Sequence, residues 1–188
     1  MMKSLLTTQL NYHYWAHARV WACIESVSDE AYFKMSNNGS IHDQLVRMMA
    51  AENLWINFLW HGEVEFLTLA QFPTKAALRG EWQALEEEMR DFVDMLGEDE
   101  LQRVVTPPFW ENRVRVQVWE ALLQVFNHAV DSRARLLAAL ETVGAQTISQ
   151  DFSEHIYAAR SYHPLAAMFE SGITSCLSHR STPIELSH

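Results

Sequence analysis

Cysteine, lysine, glycine and proline are all scarce in this sequence, and each shortage excludes something. Two cysteines in 188 residues, Cys23 and Cys176, lie too far apart to form a CxxC metal knuckle, and they give no disulfide framework. That usage fits a reducing compartment, and Cys23, inside an apolar helical stretch, reads as a small core residue. Only six glycines and five prolines punctuate the chain, so long uninterrupted elements are expected. Lysine occurs three times, at positions 3, 34 and 75, against a formal net charge of −10. Such a surface repels phosphate, and no run of arginines forms a basic patch, so nucleic acid is excluded as a partner. No segment offers the ~20 apolar residues of a membrane span. The first seventeen residues turn polar too early for a signal peptide. The expectation is a cytoplasmic protein with no membrane partner.

What is abundant points to helices. Hydrophobic residues make up 48% of the chain and seven are Trp, enough for one well-filled core. Leu6, Leu10, Tyr14 or His13, His17 and Trp21 recur at helical spacing and predict a first helix over about 4–27. The turn signal NNGS follows, and Ser40 with Asp43 resembles a capping box opening a second helix. Its stripe is Ile41, Leu45, Met48, Met49, Trp55 and Leu59, and Gly62 is its expected stop. Leu78, Trp82, Leu85, Met89, Phe92 and Leu96 step by four and three and define a third helix between Pro73-Thr74 and Gly97. Val114, Val116 and Val118 alternate with polar residues and predict a short β-ribbon between Leu101 and Gln117. A fourth helix runs from Val118 to Gly144, its stripe read as Trp119, Leu122, Leu123, Phe126, Val130, Leu137 and Leu140.

Four amphipathic helices on short connections predict an all-α fold, a four-helix bundle with a short β-ribbon before the last long helix. The bundle is expected over residues 1–160, with DFSEHIYAAR as a short helix near its end. A loosely packed tail is expected over 161–188.

Nine histidines invite a metal hypothesis, since neutral imidazole is a common ligand. His155, His163, His179 and His188 fall in the weakly patterned end and read as surface positions. His61 beside Gly62 suits the negative end of a helix dipole, and His42 reads as a boundary residue. His13 and His17 form the His-x-x-x-His of this chain, a spacing that places both rings on one helix face. An aromatic-rich helix that packs one histidine and exposes the other is the simpler explanation of the pair. His128, among Gln124, Val125, Asp131 and Ser132, reads by itself as a hydrogen-bonded core histidine. A Ser132–His128–Asp131 hydrolase triad is rejected, because residues three apart on a helix diverge and no nucleophile elbow is present.

The segments YHYWAHARV, GSIHDQLVRMMAAENLW, VWEALLQVFNHAVDSRARLLAALETVGA and the trailing DF together resemble the DinB-like family of damage-inducible and thiol-transferase-type helical bundles. The resemblance covers about residues 5–160. It implies a four-helix bundle, often dimeric, that holds Zn²⁺ or Ni²⁺ with one histidine from the second helix and a His-x-x-x-His pair from the fourth. It also implies thiol-dependent transferase or isomerase chemistry; if the chain is an enzyme, thiol transfer or hydrolysis in the pocket around His128 is the first expectation. The three implied ligand positions fall on Arg47, His128 and Ser132. A guanidinium has no lone pair to donate and serine is a poor neutral ligand, so the site is read as degenerate, with no cofactor expected.

Three alternatives stay open. Arg47, His128 and Ser132 form a remodelled pocket for a small carboxylate or phosphate ligand, unless Asp43, one turn earlier, neutralises Arg47. A divalent metal is relocated to His13 and His17, with His128 or His42 as third ligand. Or the chain is a non-catalytic homodimeric binding module, with Phe109 and Trp110 at an interface. Whether the protein is an enzyme is left undecided at this level.

Overall fold

The computed structural model describes residues 1–111 and 114–161. Residues 162–188 lie outside that description, and with them the expected tail and His163, His179, His188 and Cys176. The chain divides into two compact units, Met1–Ser149 and Gln150–His188. Of the second unit, helix α7 (Phe152–Ser161) is described, where a short helix is expected, with His155 half-buried upon it.

The first unit is built on four long helices, α1 (Met2–Glu25), α3 (Ile41–Ile56), α4 (Lys75–Met95) and α6 (Val118–Thr142), with short helices α2 (Asp29–Phe33) and α5 (Glu98–Leu101) between them. Helix α6 packs against α1 and α3, and α4 packs against the same two helices from the other side. Among the described residues, no helix is long and apolar enough to cross a membrane.

Local chemistry sets the helix ends. Ser40 Oγ accepts from Asp43 N and Asp43 Oδ2 accepts from Ser40 N, both at 3.0 Å, closing the predicted capping box of α3. Thr74 Oγ1 accepts from Ala77 N at the start of α4. Helix α3 runs on into a single π turn, Asn57–His61, and stops at Gly62 with φ +74°. Gly144 with φ +79° follows the end of α6. His61 sits in that last turn, as expected, and its side chain turns to partners other than the helix carbonyls. Its ring stacks on Trp60, and Nε2 reaches Glu88 Oε1 at 2.8 Å.

Two further expectations are corrected. The ribbon is shorter than the valine alternation suggests: β1 (Val104–Val105) pairs antiparallel with β2 (Val116–Gln117), and Val118 already belongs to α6. Gln117 and Glu120 form a capping box that turns the chain into the helix at that point. The stripe of α6 is also rotated from the predicted one. Its buried face carries Leu122, Val125, Phe126, Ala129, Arg133, Leu136 and Leu140, while Val130 is 39% exposed. Trp119, Leu123 and Leu137 are only partly covered. An arginine thus occupies the middle of a core stripe.

Phe109 and Trp110 cover an end of the core. Each ring meets Trp55 edge-on, with centroids 5.0 Å apart. Cys23 is buried, as its apolar neighbours suggest.

Candidate metal centre and ligand cleft

His13 and His17 lie one turn apart on α1, and both rings are buried, His13 at 1% exposure and His17 at 3%. The simpler expectation that one of them is exposed is overturned. Burial of both follows from α1 being covered by α4 on one side and α6 on the other. Trp82 of α4 stands edge-on to His17 with centroids 4.9 Å apart, and Phe126 of α6 lies 5.4 Å from His13.

The partner of the two imidazoles is Glu52 of α3, 1% exposed. Its Oε1 lies 3.2 Å from His13 Nε2 and 3.4 Å from His17 Nε2. Its other oxygen, Oε2, accepts a hydrogen bond from Trp82 Nε1 at 3.2 Å. Although close, His13 Nε2, His17 Nε2 and Glu52 Oε1 make no hydrogen bond of acceptable geometry. Buried polar atoms are nearly always paired, so three unsatisfied atoms facing one point need an explanation.

A metal ion supplies one. The three ligand atoms lie within 4.8 Å of one another, and this buried cluster could hold a metal ion. In a tetrahedral zinc site with bonds of about 2.0–2.1 Å, neighbouring ligand atoms stand roughly 3.3 Å apart. The His13–Glu52 and His17–Glu52 separations of 3.2 and 3.4 Å match those edges. Two imidazoles and a carboxylate are also a donor set that Zn²⁺ accepts, leaving a coordination position free.

Arg133 completes the surroundings. It is fully buried, with Nη1 3.3 Å from His13 Nδ1 and the guanidinium 5.7 Å from the centre of the Tyr12 ring. Burial pulls the pKa of this guanidinium down, opposed by Tyr12 and Glu52. Burial likewise holds His17 well below the usual imidazole range, reinforced by the charges of His13, Arg133 and Arg79. The same desolvation raises the Tyr14 hydroxyl well above its ordinary value, assisted by Glu52 and Glu86.

The positions implied by resemblance lie elsewhere. His128 and Ser132, one turn apart on α6, are half-buried, with Ser132 Oγ 3.4 Å from His128 Nε2. Arg47 is exposed on α3 and donates from Nη2 to the Asn38 carbonyl at 2.7 Å. Asp43 serves the helix cap, and no ion pair joins it to Arg47 among the described residues. Asp131 pairs with Arg135 at 2.8 Å instead of serving His128. The structure does not bring His128 or His42 to the His13–His17 pair. His42 is buried with Nδ1 3.1 Å from the Tyr32 hydroxyl.

His128 borders two concavities. One is a cleft of about 300 Å³ whose lining includes Trp55, Phe66, Phe109 and Trp110 together with Glu52. The other is a polar groove of about 520 Å³ containing Arg47, Ser132 and Arg135. Glu52 thus belongs both to the buried cluster and to the wall of a cleft.

Glu52 and Arg133 are the site residues that inspection of the sequence passes over. The signal was present: Glu52 falls in phase with Leu45, Met48, Met49, Trp55 and Leu59, and Arg133 with Phe126, Ala129, Leu136 and Leu140. A charged residue on a core stripe is the informative exception.

No curated protein matches the chain. The family model described as "DinB family" matches residues 1–166, nearly the whole of the chain and all of its helical bundle, and by that match the chain belongs to the DinB family.

Proposed function

We propose that the protein is a metal-dependent enzyme of the thiol-transferase or hydrolase type, with a divalent ion of the zinc class held by His13, His17 and Glu52. The supporting observation is the convergence of three buried, unsatisfied ligand atoms at separations that fit a tetrahedral site. A metal bound there would supply Lewis acidity, the means by which such enzymes activate water or a thiol. The protein's own groups do the rest. Trp82 fixes the carboxylate by donating to Glu52 Oε2. Arg133, buried beside His13, offsets the charge of Glu52, so a divalent ion held there would leave the centre net positive. The aromatic cleft gives a small molecule access to the Glu52 side of the cluster.

A second reading is favoured by the contact of Arg133 with His13 Nδ1. A guanidinium can only donate, so this contact makes Nδ1 an acceptor and leaves the proton on Nε2, facing Glu52. A histidine ligating through Nε2 carries its proton on Nδ1 and would give up that contact. In this second reading His13, His17, Glu52 and Arg133 form a metal-free buried network.

Metal content decides between the two. Protein purified without an affinity tag and equilibrated with zinc is expected to carry about one equivalent by mass spectrometry of the metal. His13→Ala and His17→Ala lose it and His128→Ala keeps it, with circular dichroism reporting the fold of each. Folded wild-type protein that takes up no zinc, cobalt or nickel overturns the metal reading and leaves the network. Metal lost only in His128→Ala overturns both the assignment and the choice of ligands.

A further inference from the structure

Two neighbouring concavities share His128, and their walls differ in chemistry. The groove is lined by Asn37, Asn38, Gln44, Arg47, Ser132 and Arg135 among others; no carboxylate is among the described residues that line it, and Asp131 pairs with Arg135 from beside it at 2.8 Å. In a chain with 24 acidic and 14 basic residues, a wall that carries two guanidiniums, of which Arg47 is shared with no acidic side chain among the described residues, departs from the general surface. Arg47 spends one donor on the Asn38 carbonyl, and the rest of its fork has no acceptor among the described residues. Gly39 lets it sit there: a Cβ at that position would come within 3.0 Å of both Arg47 Nη2 and Asp43 Oδ2. The neighbouring cleft is walled by Trp55, Phe66, Phe109 and Trp110.

The two concavities follow one seam. On α3 the lining passes from Arg47 and Met48 to Ala51, Glu52 and Trp55, while on α6 it passes from Arg135 and Ser132 through His128 to Gln124 and Val125. The helices run antiparallel there, so their residues pair off along a common line. At 1.5 Å per residue, Arg47 and Ala51, one turn apart on the same face, are separated by about 6 Å along the axis of α3. That is the reach of a short acyl chain.

We infer that this seam binds a small amphipathic anion, with its carboxylate or phosphate on Arg47 and Arg135 beside Ser132, and its apolar or aromatic end in the cleft against Trp55, Phe109 and Trp110. Arginine suits such an end because its planar fork can donate two hydrogen bonds to one oxyanion. His128 stands where the head and the body of the ligand meet. The consequence for catalysis, that the apolar end is delivered to the Glu52 side of the metal centre, rests on the proposed function. Binding of the anion does not.

The test uses metal-stripped full-length protein, followed by tryptophan fluorescence from Trp55 and Trp110 and by calorimetry. The probes are 4-phenylbutyrate, 3-phenylpropyl phosphate and the uncharged 4-phenylbutanol. Saturable binding of at least one anion is expected, about tenfold or more tighter than the alcohol, with the tighter of the two anions naming the head group. Arg47→Gln and Arg135→Gln, both at exposed positions, each weaken the anions about tenfold and leave the alcohol unchanged. Trp110→Ala weakens all three probes. Equal affinity for anion and alcohol, insensitivity to both arginine substitutions, or no saturable binding by protein with a native melting curve overturns the inference. Metal content separates the two proposals: wild-type protein that binds the anions but takes up no metal overturns the metal centre alone, and protein that takes up one equivalent of metal but binds neither anion overturns the anion site alone.

Discussion

The buried cluster should be sensitive to the charge of Glu52 even without metal. Glu52→Gln keeps the side-chain shape, and an amide oxygen can still accept from Trp82 Nε1, now 3.2 Å from Oε2. What is lost is the negative charge facing Arg133, whose guanidinium is fully buried. Breaking a buried ion pair in direct contact costs about 3–5 kcal/mol, and because Glu52 acts on Arg133 across His13 and alongside Tyr12, that range is the ceiling here. For a chain of this size, each kcal/mol moves the melting midpoint by roughly 2–4 °C. In chelator, Glu52→Gln should therefore lower the midpoint by at most roughly 6–20 °C, as read by circular dichroism at 222 nm. The decisive comparison is the double variant Glu52→Gln with Arg133→Met, which removes both charges and keeps an unbranched apolar side chain in the α6 stripe. Its midpoint should lie above that of Glu52→Gln alone. If Glu52→Gln melts within ~2 °C of the wild type, well short of that range, or the double variant melts lower still, Arg133 does not depend on the charge of Glu52 and the electrostatic account of the cluster fails.

Zinc at a hundredfold excess over its dissociation constant should stabilise the wild type by about 2.7 kcal/mol, a rise of roughly 5–11 °C, and should leave the melting curve of His17→Ala unmoved. Gly39 has φ +88° and adjoins Arg47 and Asp43, so Gly39→Ala should cost at least about 1–2 kcal/mol in urea unfolding and should weaken anion binding as well; an unchanged midpoint would contradict the close approach. Burial lowers the pKa of His42, opposed by Asp43 and by a hydrogen bond to the Phe72 backbone. The unfolded chain then binds this proton first as pH falls below about 6.5, so stability present at neutral pH is lost on acidification by at most about 1.4 kcal/mol per pH unit. Urea midpoints for the wild type and His42→Gln at pH 7.5 and 5 should converge toward the acid side, and parallel curves would rule the contribution out.

The bundle was legible where the determining chemistry is local. Ser40 and Asp43 set the start of α3 through bonds spanning three residues, and Gly62 and Gly144 mark stops because each adopts a positive φ. Half of the candidate metal centre was legible for the same reason, since the spacing of His13 and His17 puts both rings on one face of α1. The other half was not, because Glu52 enters only when α3 packs against that face, and no feature of one helix states which face of another it meets. The stripe of α6 went wrong through a reasonable assumption. Hydrophobicity puts Val130 inside and gives Arg133 no place on the stripe, and the fold reverses both, with Arg133 buried against His13 and Tyr12. The ribbon was overextended because valine alternation continues to Val118, while the Gln117–Glu120 capping box had already begun the helix.

The substitutions at Arg47 and Ser132 and the cluster in the core have a common geometry. Arg47 and Glu52 are five residues apart on α3, and His128 and Arg133 are five apart on α6. Five residues turn an α-helix by about 500°, so the second residue of each pair points roughly 140° away from the first. On both helices, then, one position faces the α3–α6 seam and the other turns inward to α1 and α4. The ligand positions implied by resemblance belong to the seam, and there the chain carries a cation and a hydroxyl. The ligand-type cluster lies on the inward side, where α1 supplies two imidazoles. A metal at His13, His17 and Glu52 would therefore be a different site from the one the resemblance implies, reached from behind it. Glu52 makes the two sides communicate, since its carboxylate meets the imidazoles and also borders the cleft beside His128. If the seam holds an anion and the core holds a metal, one carboxylate separates them, and its replacement by Gln should affect both metal content and the affinity for aromatic anions, whereas Arg47→Gln should affect only the second.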